Sequence, residues 1–390
     1  MNKNKATISL GRNSKGEGLR WVTSPEYNYV FNEASGFFQR WGKTQEDDPT
    51  WSPFGPEIMD IEISDGESCP MTCAFCYKGN KKGDASKSNH MSLDTFKQIF
   101  STFPKTVTQI AFGITSIGAH PEIFGIFQHC RDNHVVPNVT INGMDPLTDE
   151  QVQTLCRLCG AMAVSVNKYN KEQGLNLIKR LTDGGCKQIN IHYVISKQTI
   201  GFAYEVLNSM KNDVRLANMN AIVFLGLKPK ERGQNLDILP VSEYIKLVNF
   251  CLENNVRFGF DSCSAPRFDK AVGISNLDEA KKKMLLSCSE RCESGLFSAY
   301  VDCTGKYWHC SFGEGMEVAY GIDLTKIKDF TKEVWLSKPM TTWREKLFSL
   351  NRECPLYAEI HVDEKPLFPH QIEAREKENQ EAREKLAAKG

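Results

Sequence analysis

VTQIAFGITSIGAHPEIFGIFQHCRDNHVVPNVTIN, residues 107–142, reads as a strand, a helix and a second strand. VTQIAFG (107–113) and VVPNVTIN (135–142) are short β-rich runs, and EIFGIFQHCRD between them spaces its apolar residues at helical intervals. A strand–helix–strand unit of this kind pairs its strands in parallel through a right-handed crossover.

The alternation repeats in both directions. IMDIEI (58–63) and the helical stretch LDTFKQIFSTF come before it. MAVSVN (162–167), KQINIHYVI (187–195) and NAIVFLGL (220–227) come after it, separated by DEQVQTLCRLC, EQGLNLIKRLTD and GFAYEVLNSMKN at helical spacing. Beyond a further helix, VSEYIKLVNFCLENN, the run VRFGFDSC (256–263) closes the series. Six or seven units fall short of the eight of a complete barrel, so an α/β fold built on an open, partial (β/α)6 barrel is expected over residues 56–275. Residues 1–55 contain YNYVFN-EASG-FFQRW, which reads as a β-hairpin extension too small to be an independent domain. From 284 to 360 the alternation stops and cysteines gather, marking a small second domain. Residues 361–390 end in EAREKENQEAREKLAAKG, helix-prone but polar all round, and read as a solvated helix or frayed end.

The chain has 390 residues, 41% apolar and 25% charged, the balance of a folded protein. Lys+Arg and Asp+Glu are equal at 48, so no basic field gathers nucleic acid, and a nucleic-acid partner is not expected. No run approaches the roughly 18–20 apolar residues of a membrane span, and MNKNKATISLGRNSKGEG lacks the apolar centre of a secretory signal. A cytoplasmic protein with no membrane partner is expected.

Fourteen cysteines then need a reason, because a reducing compartment keeps thiols free for metal or redox chemistry. Cys130, Cys156, Cys159, Cys186 and Cys251 lie in apolar surroundings and read as small core hydrophobes. The others fall into two groups and the singleton Cys263. Directly after the first strand stands Cys69-Pro-Met-Thr-Cys73-Ala-Phe-Cys76-Tyr77. Structural zinc usually takes four ligands from two separated pairs, and no such partner follows nearby. Three thiols suit a [4Fe–4S] cube, leaving one iron open.

This CxxxCxΦC stretch, with Phe75 as its aromatic, resembles the signature of the radical S-adenosylmethionine (radical SAM) superfamily, and the resemblance spans residues 58–263. It implies that Cys69, Cys73 and Cys76 hold a [4Fe–4S] cluster whose open iron is chelated by S-adenosylmethionine. It also implies reductive cleavage to methionine and a 5′-deoxyadenosyl radical, which abstracts hydrogen from a substrate, with a one-electron donor such as flavodoxin or ferredoxin as partner. Phe75 and Tyr77 then belong to the cofactor site. The family usually carries Gly-Gly-Glu after its second strand; here Phe112-Gly113-Ile114-Thr115 stands there, so backbone contacts from Gly113, Ile114 and Thr115 are expected without the Glu. Thr140-Ile141-Asn142-Gly143 resembles the family's TNG. Ser165 and Asn167 alternate at a strand end, where barrel sites are built, and are expected at the ribose or carboxylate of S-adenosylmethionine; polar strand-end residues satisfied by a nearby loop are the alternative.

Cys288-Ser-Glu-Arg-Cys292, then Cys310 and Cys354, make the second group. The segment from Cys292 through Gly305 to Cys310 resembles the opening half of the SPASM domain and the shorter Twitch domain, which bind auxiliary iron–sulfur clusters. Only Cys354 follows, so one auxiliary [4Fe–4S] cluster is expected, although four cysteines suit zinc equally well. LFSAYVDC-TG-KYWHCSF reads as a hairpin turning at Thr304-Gly305, which sets Cys303 and Cys310 about 13 Å apart and makes Cys303 a strand residue. Cys288, Cys292, Cys310 and Cys354 remain as ligands. Cys263 closes the seventh run and is read as the catalytic hydrogen donor, a fourth auxiliary ligand in place of Cys288, or a buried thiol. The reading is a radical SAM enzyme acting on a peptide, protein or amino-acid-like substrate by oxidation, epimerisation or crosslinking. A sugar or nucleotide metabolite is the alternative substrate, and a non-catalytic electron-transfer protein the alternative class. The short N-terminal hairpin is less than a leader-peptide recognition domain needs.

Overall fold

The computed structural model describes residues 6–362, so the polar tail from residue 363 on lies outside the described residues. Four antiparallel strands come first: β1 (Thr7–Arg12), β2 (Gly18–Thr23), β3 (Asn28–Asn32) and β4 (Phe38–Trp41), paired in that order. The hairpin expected around EASG is β3–β4, and β1 and β2 extend it into a sheet.

The barrel strands are β5 (Ile58–Glu62), β8 (Gln109–Gly113), β9 (Val136–Asn142), β10 (Ala161–Ser165), β11 (Gln188–Ile195), β12 (Ala221–Gly226) and the short β13 (Phe258–Phe260). They pair in parallel in the order β13-β12-β11-β10-β9-β8-β5 and do not close, giving the open barrel the alternation predicts. Between β5 and β8, β6 (Ser68–Cys69) and β7 (Lys81–Lys82) form a two-residue parallel ladder. The crossovers are α1 (Leu93–Phe100), α2 (Ile123–Asp132), α3 (Asp149–Leu158), α4 (Lys171–Asp183), α5 (Ile200–Asn212) and α6 (Val241–Glu253), with α7 (Ala265–Ile274) and α8 (Glu279–Ser287) after β13. Among the described residues no helix is long and apolar enough to cross a membrane.

Strand alternation explains why an open barrel of this kind has a wet interior. On β11, Ile189, Ile191, Tyr193 and Ile195 are buried, whereas Asn190, His192 and Val194 on the other face are only half-buried. β9 does the same, with Val139 and Ile141 buried against Asn138, Thr140 and Asn142. One face is therefore apolar core and the other is polar, aligned from strand to strand. Interior amides satisfy each other: Asn138 donates to Gln109 at 2.9 Å and Asn220 to Asn190 at 2.9 Å.

The N-terminal sheet covers the end of the barrel where the strands begin. The buried Arg20 on β2 donates to the carbonyls of Lys105 (3.1 Å), Val107 and His134, and the Tyr29 hydroxyl donates to the Thr106 carbonyl. These carbonyls lie just before β8 and β9. The sheet leaves the mouth at the strands' C-terminal ends uncovered, the end at which barrels of this kind build their sites.

The cysteine-rich segment joins the same sheet. β14 (Ser298–Val301) pairs in parallel with β5 on its outer side, and β15 (Lys306–Trp308) and β16 (Ile322–Asp323) follow antiparallel. The β14–β15 turn falls at Asp302–Gly305, where Gly305 has φ +83°, a left-handed conformation that suits glycine. Cys303 lies in that turn, two residues past the end of the strand in which the sequence put it. α9 (Lys338–Ser349) carries Arg344, whose guanidinium lies between the rings of Trp51 and Trp335, 4.4 and 4.6 Å from their centres.

Cys130, Cys159 and Cys251 are buried free thiols, as expected. Cys156 and Cys186 are instead disulfide-bonded, because the last turn of α3 faces the α4–β11 turn with the two Cα atoms 4.8 Å apart. Periodicity alone does not show that approach.

His120, in the β8–α2 loop, is 3% exposed and packs on His90 with ring centres 4.9 Å apart. Burial first, and then the neighbouring His90, push its pKa down to about 4. A histidine depressed in the folded state binds its proton earlier when unfolded, so its contribution is present above about pH 6.5 and is lost as pH falls toward 4. His120→Gln is expected to shrink the stability loss between pH 7 and pH 5 by about 2 kcal/mol, read by denaturant melts at both pH values.

Candidate functional site

The three-cysteine loop is held at its ends and from two sides. The β6–β7 ladder clasps it, reinforced by Lys81 N–H to the Glu67 carbonyl (3.0 Å) and Gly83 N–H to the Cys69 carbonyl (2.9 Å). Arg232, in the β12–α6 loop, donates to the carbonyls of Cys73 (2.9 Å) and Asn80 (2.7 Å). The Asn142 amide lies 3.8 Å from the Cys69 sulfur, and the Asn167 amide 3.7 Å from that of Cys73. Both amides come from strand ends, so the barrel aims donors at two of the three sulfurs.

Those sulfurs face a cavity of about 400 Å³ at the open mouth. All eight residues predicted for the cofactor site line it: Phe75, Tyr77, Gly113, Ile114, Thr115, Asn142, Ser165 and Asn167. They come from the loop and from the ends of β8, β9 and β10. Gly143 lets β9 and β10 close up there, since a Cβ would stand 2.7 Å from the Ser165 carbonyl oxygen. Asp145 pins the β8 loop by accepting from Ser116 Oγ (2.8 Å) and the Ile117 N–H (2.5 Å).

Several lining groups escaped the sequence reading. Glu62 ends β5 in register with Gly113, so a carboxylate reaches the cavity from the neighbouring strand although Gly113-Ile114-Thr115 lacks one. Burial raises the Glu62 pKa to about 7 against the opposing pull of Lys78, whose ammonium is 2.5 Å away. His192 lines the cavity from β11, with burial lowering its pKa to about 4, so it is neutral at pH 7. Lys228 and Asp261 form a buried pair at 3.0 Å. The signal for Glu62 and His192 was strand alternation toward the same face as Ser165; for Lys228 and Asp261 it lay only in the order of strands.

A second, smaller cavity lies beyond Lys228 and Phe312, which line both. Four thiols line it: Cys263, Cys292, Cys310 and Cys354. Burial raises the pKa of each, and neighbouring thiols add to the rise at Cys263, Cys292 and Cys310. The placement of two cysteines differs from the expected one. Cys288, the exposed C-cap of α8, does not line the cavity, and Cys263 stands there in its stead. Cys263 also does not line the larger cavity, where a hydrogen donor to a substrate radical would sit. The cause is local: Asp261 accepts from the N–H groups of Gly226 (3.1 Å) and Ser264 (3.0 Å), ending β13 early and turning Cys263 away from the barrel mouth.

Among the described residues no set of three or more His, Cys, Asp or Glu converges as a ready site for a metal ion. The residues do fit larger groups. Thr115 Oγ1 is a buried polar atom with no hydrogen-bond partner, and it belongs to a residue lining the larger cavity, as a site for a polar ligand requires. Asparagine amides beside the Cys69 and Cys73 sulfurs are the kind of outer contact that thiolate ligands carry.

No protein-family model and no curated protein matches the chain. Among solved structures, SuiB from Streptococcus suis bound to S-adenosylmethionine aligns over 74% of this chain and 65% of its own, at 12% identity and TM-score 0.51. Another SuiB structure aligns over 74% and 67%, at 13% identity and TM-score 0.54. Coproporphyrinogen III oxidase (HemN) from Escherichia coli, a radical SAM enzyme, aligns over 77% of this chain and 83% of its own at 11% identity, with a TM-score of 0.42 that adds nothing to the assignment. This chain therefore spans about two thirds of the SuiB chains it matches, and what it shares with them is the fold.

Proposed function

We propose that this protein is a radical SAM enzyme that abstracts hydrogen from a peptide, protein or amino-acid-like substrate, assisted by one auxiliary [4Fe–4S] cluster. The observation that carries the reading is the meeting of Cys69, Cys73 and Cys76 with the ends of β8, β9 and β10 around one cavity. Held by those thiols, a [4Fe–4S] cluster would supply the reducing electron for cleavage of bound S-adenosylmethionine. The chain's own groups then have distinct work. Asn142 and Asn167 steady the sulfurs of Cys69 and Cys73. Thr115 Oγ1 and the backbone of Gly113 and Ile114 offer polar contacts to the amino-acid end of S-adenosylmethionine, beside the Glu62 carboxylate. Ser165 and Asn167 serve its ribose or carboxylate. Neutral His192 can donate or accept one hydrogen bond without placing a charge in the pocket.

The auxiliary ligands in this reading are Cys263, Cys292, Cys310 and Cys354. Four thiols lining one cavity supply the four thiolates that a [4Fe–4S] cluster normally takes. A one-electron donor such as flavodoxin or ferredoxin is the partner, and the cytoplasm the compartment. Anaerobic incubation of the reconstituted protein with S-adenosylmethionine and dithionite is expected to release 5′-deoxyadenosine and methionine; absence of both overturns the reading in favour of an electron carrier.

A further inference from the structure

The two cavities are joined by a short stretch after Cys310. The Cys310 sulfur accepts from the Phe312 N–H (3.4 Å) at the start of a turn over Ser311–Gly313. The Phe312 ring packs on Tyr77, the residue after Cys76, with ring centres 4.7 Å apart. The Phe312 carbonyl accepts from the Tyr357 hydroxyl (2.9 Å), three residues beyond Cys354. Two residues after Phe312, Glu314 meets the Lys78 ammonium at 2.5 Å, and Lys78 also holds Glu62. The Tyr300 hydroxyl, on β14, lies 2.7 Å from a carboxylate oxygen of each glutamate. Lys230 donates to the Glu314 carbonyl at 3.2 Å, fixing its backbone. The Cys69–Cys76 loop is thus fastened by Arg232 on one side and by Phe312 and Glu314 on the other.

We propose that Phe312 and Glu314 are positioning residues that clamp the three-cysteine loop, so that filling the Cys263/Cys292/Cys310/Cys354 cavity tightens the binding of S-adenosylmethionine at the other site. The inference rests on the radical SAM reading for its ligands, but the clamp itself is a property of this chain. Holding Cys310 and Cys354 holds Phe312 from both sides, and Phe312 with Glu314 holds Tyr77 and Lys78, next to the third cysteine of the loop. Because coupling between two binding sites is reciprocal, S-adenosylmethionine should in turn make the auxiliary irons harder to strip with a chelator.

The test uses the full chain, wild type and Glu314→Ala, Glu314→Gln and Phe312→Leu, reconstituted anaerobically. Iron content, amide hydrogen exchange over residues 66–82 and equilibrium dialysis of S-adenosylmethionine are measured. The Glu314→Ala protein is expected to keep its iron, to exchange faster over 66–82 and to bind S-adenosylmethionine about tenfold more weakly. Glu314→Gln, which keeps hydrogen bonds but not charge, should fall between it and wild type. Cys310→Ser should lose the auxiliary irons and weaken binding similarly, and adding Glu314→Ala to it should weaken binding no further. Unchanged exchange and affinity in Glu314→Ala, or additive losses in the double variant, overturn the clamp. Exchange over 66–82 is also compared between the iron-free wild type and iron-free Glu314→Ala. Faster exchange in that variant supports the clamp even if the wild type cleaves no S-adenosylmethionine, a failure that belongs to the proposed function alone.

Discussion

Changing Cys69, Cys73 and Cys76 together to Ala is expected to remove about half of the roughly eight irons of the reconstituted protein and all release of 5′-deoxyadenosine. The effect is total because nothing else in the larger cavity can replace the loop. Among the described residues its other lining groups are carboxylates, amides, hydroxyls, lysines, one histidine and apolar side chains, with no further cysteine. The fold should survive the change. The loop is anchored by backbone contacts, from the β6–β7 ladder and from Arg232 to the carbonyls of Cys73 and Asn80, none of which needs a thiol. Iron per chain and 5′-deoxyadenosine by chromatography give the two readouts. Continued release of 5′-deoxyadenosine by the triple variant would falsify the assignment of this loop.

The parts of this site that were legible in the sequence are those set by local pattern. Ser165 and Asn167 could be read because a strand shows its faces alternately, and the end of a parallel strand before a helix marks the mouth of the barrel. The three-cysteine loop could be read because all its thiols lie within eight residues. What could not be read depends on distant pairing. β14 joins β5 through the register Ser298 to Ile58, a contact between segments 240 residues apart. It brings Tyr300 to Glu62 and Glu314, and Glu314 to Lys78. Glu62 was passed over although strand alternation sets it on the face of Ser165, because a carboxylate at a strand end reads as a solvated residue. β1 was passed over because it exposes every side chain and so shows no buried face, and β2 because its buried face carries the charged Arg20 beside Val22.

Cys263 and Cys288 divide on the same distinction, and single substitutions separate them. The seventh run, VRFGFDSC, was read as one strand, which would carry Cys263 to the barrel mouth. Only Phe258–Phe260 pair, and the carboxylate of Asp261 gathers the N–H groups of Gly226 and Ser264, so the chain turns before Cys263 and enters α7 with Pro266 in its first turn. That turn sets Cys263 against Cys292, Cys310 and Cys354, while α8 carries Cys288 out to its exposed end. Cys263→Ala is therefore expected to lose the four auxiliary irons, about half of the total, as Cys292→Ala and Cys310→Ala do. Cys288→Ala and Cys303→Ala should keep all of them. In each variant the Cys69–Cys76 loop retains its ligands, so some 5′-deoxyadenosine should still form, which separates loss of the auxiliary cluster from general unfolding. Full iron in Cys263→Ala, with loss in Cys288→Ala, would return the fourth position to Cys288 and require α8 to fold back over the cavity when metal is bound.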